Sequence, residues 1–191
     1  MPNGTGKTTT LEMIRATLTA VPRRWQVVTA KLAVVVGWSA VVAVACLVMG
    51  VIAGEIMMGS TGFSVAAEEV PRVMLGYAVF VVLFTVVGLG IAMVIRHQAG
   101  ALALLFLLPL VVEGVLRLVI TLPTTFDSIE GVTRYFPFSA GGRMLSLFPL
   151  NADSSAFGPP PLDPLPGGIT FAVFTALTLV LGTALFFRRD A

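Results

Sequence analysis

LAVVVGWSAVVAVACLVMGVIAG, residues 32–54, runs for 23 residues without a charged side chain. A helix needs about 20 apolar residues to cross the hydrocarbon core of a bilayer, so this run predicts a membrane span. A signal peptide is the competing assignment, but its apolar stretch is only about 7–15 residues long. Gly50 and Gly54 make a G-x-x-x-G pair within the run, and Ser39 and Ala43 repeat the small-residue spacing. Such a face allows close packing of one helix on another.

Composition agrees with a lipid environment. The chain has 191 residues, 57% of them hydrophobic and 12% charged. Soluble domains carry roughly 25% charged residues, and half that amount does not cover the surface of a soluble protein of this size. The net charge of +2 gives no argument for nucleic acid. The single cysteine, Cys46, excludes an internal disulfide and a cysteine-built metal site. Ala43-Val44-Ala45-Cys46 is similar to a lipoprotein cleavage site. However, Leu47, Val48, Met49, Val51 and Ile52 carry the apolar run past it, so a retained helix is expected.

Downstream, three more spans are expected at 73–95, 99–120 and 167–187. Between the first two spans, Glu68 and Glu69 precede Pro71 and read as solvated loop carboxylates rather than an acid–base pair. The second span ends at Arg96-His97-Gln98. His97 titrates or binds metal in other settings, but it has no second ligand nearby and reads as a basic flank. The third span is expected to bend at Pro109, which lacks the N–H of a regular helical turn. It carries Glu113 and Arg117 at i, i+4 on one face. An arginine at mid-bilayer costs roughly 2.5–3.5 kcal/mol on insertion scales. Two readings follow: a charged pair lining a path through the membrane, or an interfacial pair marking where the helix surfaces, with the second preferred. The outer loop, 121–166, holds the prolines Pro159, Pro160, Pro161, Pro164 and Pro166, which exclude a long helix there. Within it FPFSAGGRMLSLFPL, residues 136–150, is apolar but too short to span, and suits an interfacial or re-entrant helix.

Upstream of the first span lies IRATLTAVPRRWQVVTAK, residues 14–31. Ile14, Leu18 and Val21 fall on one helical face, which Leu11 extends, while Arg15 and Thr19 lie off it. Pro22 ends or kinks this amphipathic segment, Arg23 and Arg24 follow, and Trp25 and Lys31 lead into the span as interface anchors do. The segment reads either as a basic flank that orients the span or as a cytoplasmic helix that docks on another protein.

Residues 1–10, MPNGTGKTTT, place Gly4, Gly6, Lys7 and Thr8 in the order of a phosphate-binding loop, with Met1 at the first glycine position. That loop functions when a buried strand feeds it and a helix leaves it, aiming N–H groups at phosphates. With no residue before Met1, no such strand is expected, and no acidic residue at a strand end offers itself to magnesium. The wording at 2–11 resembles the Walker A loop of ABC transporter ATPases. It is expected to be a remnant at 1–13 joined near Glu12-Met13-Ile14, and the alternative is a nucleotide-binding protein acting through Gly4, Gly6, Lys7 and Thr8.

An even number of spans brings both termini to one side. That side holds Lys7, Arg15, Arg23, Arg24, Lys31, Arg96, Arg188 and Arg189. The other holds Arg72, Arg134 and Arg143 among the acids Glu55, Glu68, Glu69, Asp127, Glu130, Asp153 and Asp163. The positive-inside rule then expects both ends in the cytoplasm. The fold class is an all-α polytopic membrane protein.

Residues 14–24, IRATLTAVPRR, with Lys31-Leu32 at the start of the span, resemble the cytoplasmic loop of ABC type-two export permeases. Phe187-Arg188-Arg189-Asp190-Ala191 resembles that family's ending, and Phe138-Ser139-Ala140-Gly141 its outer-loop P-x-N-A-G phrase. Family members have six spans, so the chain is similar to the last four, N-terminally truncated, with ATPase-like wording where the tyrosine-glycine part of the loop phrase stands.

The resemblance implies a multi-pass subunit of a bacterial-type cytoplasmic membrane, coupling ATP hydrolysis by a separate ABC ATPase to export. A second permease copy would complete a homo- or heterodimer. Leu11, Ile14, Arg15, Leu18, Val21, Arg23 and Arg24 would contact the ATPase, which would hold ATP and magnesium, while this chain would have no catalytic site, metal or cofactor of its own. The alternative is a non-transporting fragment of a fused ATPase/permease gene.

Overall fold

The computed structural model describes residues 24–58, 70–95, 97–121, 130–146 and 162–189. Among these residues the ordered elements are all helices, and four helices are long and apolar enough to cross a membrane. The phosphate-loop residues Gly4, Gly6, Lys7 and Thr8 lie outside the described residues. So do Leu11, Ile14, Arg15, Leu18, Val21 and Arg23, and the carboxylates Glu68 and Glu69.

The first helix, α1 (Arg24–Met58), has 35 residues. At ~1.5 Å per residue it is about 52 Å long, well beyond a hydrocarbon core of about 30 Å. Residues 24–31, which the sequence groups with the cytoplasmic segment, are the first two turns of this span helix. Nothing stops the helix there: Gln26, Thr29 and Lys31 tolerate helical geometry, and no glycine or proline intervenes before Gly37.

The second span is α2 (Val70–Val94). The third is one rod made of α3 (Gln98–Leu107), a π-helical turn (Leu108–Val112) and α4 (Glu113–Thr121). At Pro109, where the sequence predicts a bend, the structure has this π turn. Pro109 has no N–H to offer the preceding carbonyls, and the ladder resumes with a wider bond from Glu113 N–H to Leu108 O.

The segment between the third and fourth spans contributes a 3-10 helix (Glu130–Tyr135), the short helix α5 (Pro137–Gly142) and a 3-10 turn (Arg143–Leu145). The last span, α6 (Pro164–Arg189), begins three residues earlier than the sequence predicts. Pro164 and Pro166 occupy its first turn, where backbone N–H groups have no helical partner, so the prolines do not disrupt it.

Helix α6 packs parallel to α2, with Phe80 against Phe171 and Gly90 against Gly182, the most extensive helix pairing in the bundle. Glycines set the distance. A Cβ at Gly182 would stand 2.6 Å from the Gly90 carbonyl oxygen, and one at Gly90 would stand 3.0 Å from the Thr178 backbone. In lipid, close van der Waals packing of this kind replaces the hydrophobic effect as the force between helices. By contrast, a Cβ added at Gly37, Gly50 or Gly54 of α1 would meet no described atom within 4 Å. The G-x-x-x-G pair legible in the sequence therefore packs on no described residue.

Trp25 stacks on Phe187 with ring centroids 6.5 Å apart, so the start of α1 and the end of α6 meet at one end of the bundle. The elbow formed by α5 and its 3-10 turn fills the other end. Hydroxyls within the spans are satisfied locally: Thr85 donates to Val81 O at 2.7 Å, Thr175 to Phe171 O at 2.8 Å and Thr178 to Phe174 O at 2.8 Å. Such back-bonding removes the penalty of a hydroxyl facing hydrocarbon.

Candidate functional site

The carboxylate with three hydrogen-bond donors among the described residues is at the elbow. Sequence builds the elbow with an unusual start. Phe136 is the N-cap of α5, and Pro137 takes the first helical position, so neither offers a side-chain oxygen for capping. The N–H groups of the second and third helical positions, Phe138 and Ser139, normally bond to a Ser, Thr, Asp or Asn cap. Here they turn to another helix. Phe138 N–H donates to Glu113 Oε1 at 2.8 Å and Ser139 N–H to Oε2 at 2.9 Å. The Ser139 hydroxyl donates to Oε2 at 2.8 Å.

Glu113 is 6% exposed, so its carboxylate is removed from solvent and held by three donors. The position suits the charge, because a helix N-terminus carries partial positive charge. A buried carboxylate is tolerable only when its oxygens are hydrogen-bonded in this way. The π turn that ends at Val112 sets the direction in which Glu113 leaves the third span.

The donors are fixed by packing. Phe138 is buried among aromatic rings: its centroid lies 5.6 Å from both Phe171 and Phe174, and 5.9 Å from Phe84. Phe80 completes the cluster, 5.2 Å from Phe171. With Val87, Ile91 and Ala101 these rings form the core of the bundle. Edge-to-face and tilted rings at these separations add about 0.5–1.5 kcal/mol per pair beyond burial.

Glycines let the elbow sit between α2 and α6. A Cβ at Gly76 would meet the Met144 carbonyl oxygen, and one at Gly167 would meet that of Ala140. Gly141 lies against the Phe171 ring, where an added Cβ would be 2.7 Å from Cγ. Arg143 Nε donates to Leu162 O at 3.2 Å, tying the elbow to the chain entering α6.

The structure places the two charged residues of the third span in different surroundings. Glu113 faces the elbow, while Arg117, one turn further along α4, is half-buried. Sequence alone places Glu113 and Arg117 on one helical face and does not show the bonds from α5 to Glu113. The signal for them is Phe136-Pro137-Phe138-Ser139, a helix start without a capping side chain. Of the docking residues expected from sequence, Arg24 alone falls within a described helix, as the first residue of α1. His97 is exposed at the turn between α2 and α3, and among the described residues no cluster of three or more metal-binding side chains occurs.

No family model matches the chain, and neither a curated protein nor a solved structure matches it. The chain is a multi-pass helical membrane protein by its four apolar helices of spanning length.

Proposed function

We propose that the chain is the membrane-spanning subunit of an ATP-driven exporter of the ABC type-two class, without catalysis of its own. ATP and magnesium would be held by a separate ATPase chain, and a second permease copy would complete the transport unit. The observation that carries this reading is the unbroken rod of α1. The helix runs from Arg24 to Met58, directly after the segment whose wording resembles an ATPase-docking loop. A displacement delivered to its first turn is transmitted along a rigid element, whereas a loop would absorb it.

Four further features support the reading. Helix α1 packs on α2, which carries the elbow and α6, so motion of α1 has a mechanical path to the outer end. The elbow contains Phe138-Ser139-Ala140-Gly141, the phrase similar to the family's outer loop. The end holding Arg24, Lys31, Arg188 and Arg189 has no described acidic residue, which favours a cytoplasmic placement of both termini. The Gly50–Gly54 face of α1, which meets no described residue, suits a second permease copy.

The test is co-purification with an ABC ATPase whose reading frame adjoins that of this chain. Wild type should retain the ATPase and Val21→Asp, which puts a charge on the apolar face of the docking segment, should lose it. Equal retention by both would overturn the docking role, and failure of wild type to bind any such ATPase would favour a non-transporting fragment.

A further inference from the structure

A groove of about 590 Å³ lies between α1, α2 and α3 and reaches Phe84 of the aromatic cluster. Its floor is Thr85, Gly88 and Leu89 of α2, and its walls are Val35 of α1 and Leu102 and Leu105 of α3. The size falls within the roughly 300–1,000 Å³ typical of sites for one small molecule. Nothing in its apolar part demands a polar ligand, since the Thr85 hydroxyl is already bonded to Val81 O.

The groove is not apolar throughout. Through Gln98 and Leu102 it continues into a smaller pocket lined by His97, Gln98 and Ala99, at the turn where α2 gives way to α3. Lys31 is exposed one helical turn before Val35 on α1, on the face that leads into the groove. The acidic residues of the described chain, Glu55, Glu113, Glu130 and Asp163, belong to the opposite half of the bundle. A cation therefore stands at a polar mouth above an apolar trough, with no described carboxylate near to neutralise it.

We propose that this groove binds one acyl chain of an anionic membrane phospholipid, with the phosphate at Lys31, His97 and Gln98. The trough supplies van der Waals contact along the chain, and Gly88 keeps it open by presenting no side chain to it. Lysine near a bilayer surface adds about 1 kcal/mol of attraction for anionic lipid, or roughly five-fold in occupancy. The site is independent of any exporter role, because it rests on α1–α3 geometry and charge alone.

The experiment uses the full chain in phosphatidylcholine vesicles containing phosphatidylglycerol that bears a photoreactive diazirine in one acyl chain. After irradiation, labelled peptides are mapped by mass spectrometry. Wild type should label at 85–89 and 102–105 well above the exposed α6 positions Leu177 and Leu181, which report bulk lipid. Leu102→Trp fills the trough and should lower groove labelling by about ten-fold. Leu110→Trp, on the same rod but outside the groove, should leave it unchanged. Lys31→Ala should lower it about five-fold with the phosphatidylglycerol probe and leave it unchanged with the phosphatidylcholine analogue. Groove labelling no stronger than at Leu177, or unaffected by Leu102→Trp, would overturn the proposal in favour of ordinary boundary lipid. Absence of groove labelling would overturn it in favour of a protein occupant.

Discussion

Glu113 Oε1 accepts the backbone N–H of Phe138 at 2.8 Å, and the two residues are separated by 25 positions. One end of this bond is fixed by the third span and the other by a cluster of phenylalanine rings from α2 and α6. The bond therefore joins the rod of α3 and α4 to the rest of the bundle at the end away from Trp25 and Phe187. Breaking the set leaves the N–H donors of Phe138 and Ser139 without acceptors, and each such buried donor costs about 1–3 kcal/mol.

Glu113→Ala should accordingly destabilise the protein by about 3–5 kcal/mol, the range for removing one partner of a buried charge-assisted set. Glu113→Gln should cost less, about 1–2 kcal/mol, because one amide oxygen still accepts while the NH₂ group faces a donor. Reversible unfolding in mixed micelles, monitored by helical circular dichroism, would measure both. Equal losses for Ala and Gln would show that the carboxylate's acceptor oxygens are not what holds α5.

The same argument extends to the glycine contact between α2 and α6. Gly182→Leu puts a side chain where even a Cβ stands 2.6 Å from the Gly90 carbonyl oxygen. Helix backbones must then separate, and a loss of about 1–3 kcal/mol is expected. Gly50→Leu meets no described atom and should leave the unfolding midpoint of the monomer within about 0.5 kcal/mol of wild type. Measuring the two variants side by side in micelles separates a packing role from mere helix propensity, since both replace glycine in a helix.

Placement of the termini is checked by thiol labelling. In a Cys46→Ser background, Ser146→Cys at the elbow and Gln98→Cys at the α2–α3 turn lie at opposite ends of the bundle. Intact cells treated with a membrane-impermeant maleimide should label Ser146→Cys and spare Gln98→Cys until the membrane is opened. The reverse pattern would invert the orientation expected from the charges.

The number and course of the spans are legible in the sequence because apolar runs of this length with two charges at most have few other solutions. Their ends are less so. Helix α1 continues through Lys31 and Gln26 because a long helix tolerates polar residues once it leaves the hydrocarbon, and no breaker marks that border. Pro164 and Pro166 read as breakers, yet a proline in a first turn costs little. The elbow is legible as a short apolar piece, but its seat depends on Gly76 and Gly167, which are distant in sequence and become neighbours only through the α2–α6 pairing. Glu113 is hardest to read. Its partners are largely backbone N–H groups, which leave no mark in the sequence, while Arg117 at i+4 offers a conspicuous alternative.

Pro109 provides a test of how the third span aims Glu113. The π turn inserts one extra residue between Leu108 and Glu113, as the bond from Glu113 N–H to Leu108 O shows. Replacing the proline restores a donor, so Pro109→Ala should let the ladder return to α-helical spacing. One residue of register corresponds to about 100° of rotation, enough to turn the Glu113 carboxylate away from Phe138 and Ser139. Two effects then oppose each other in the single variant: removal of a helix-interior proline favours folding by up to about 3 kcal/mol, and loss of the α5 bonds disfavours it by a similar amount. Net stability is thus a poor readout, and a double-mutant cycle is a good one. In the Pro109→Ala background, Glu113→Ala should cost less than about 1 kcal/mol, against about 3–5 kcal/mol in wild type. An additive cycle would show that the carboxylate reaches the elbow without the π turn, and that Pro109 has no part in orienting it.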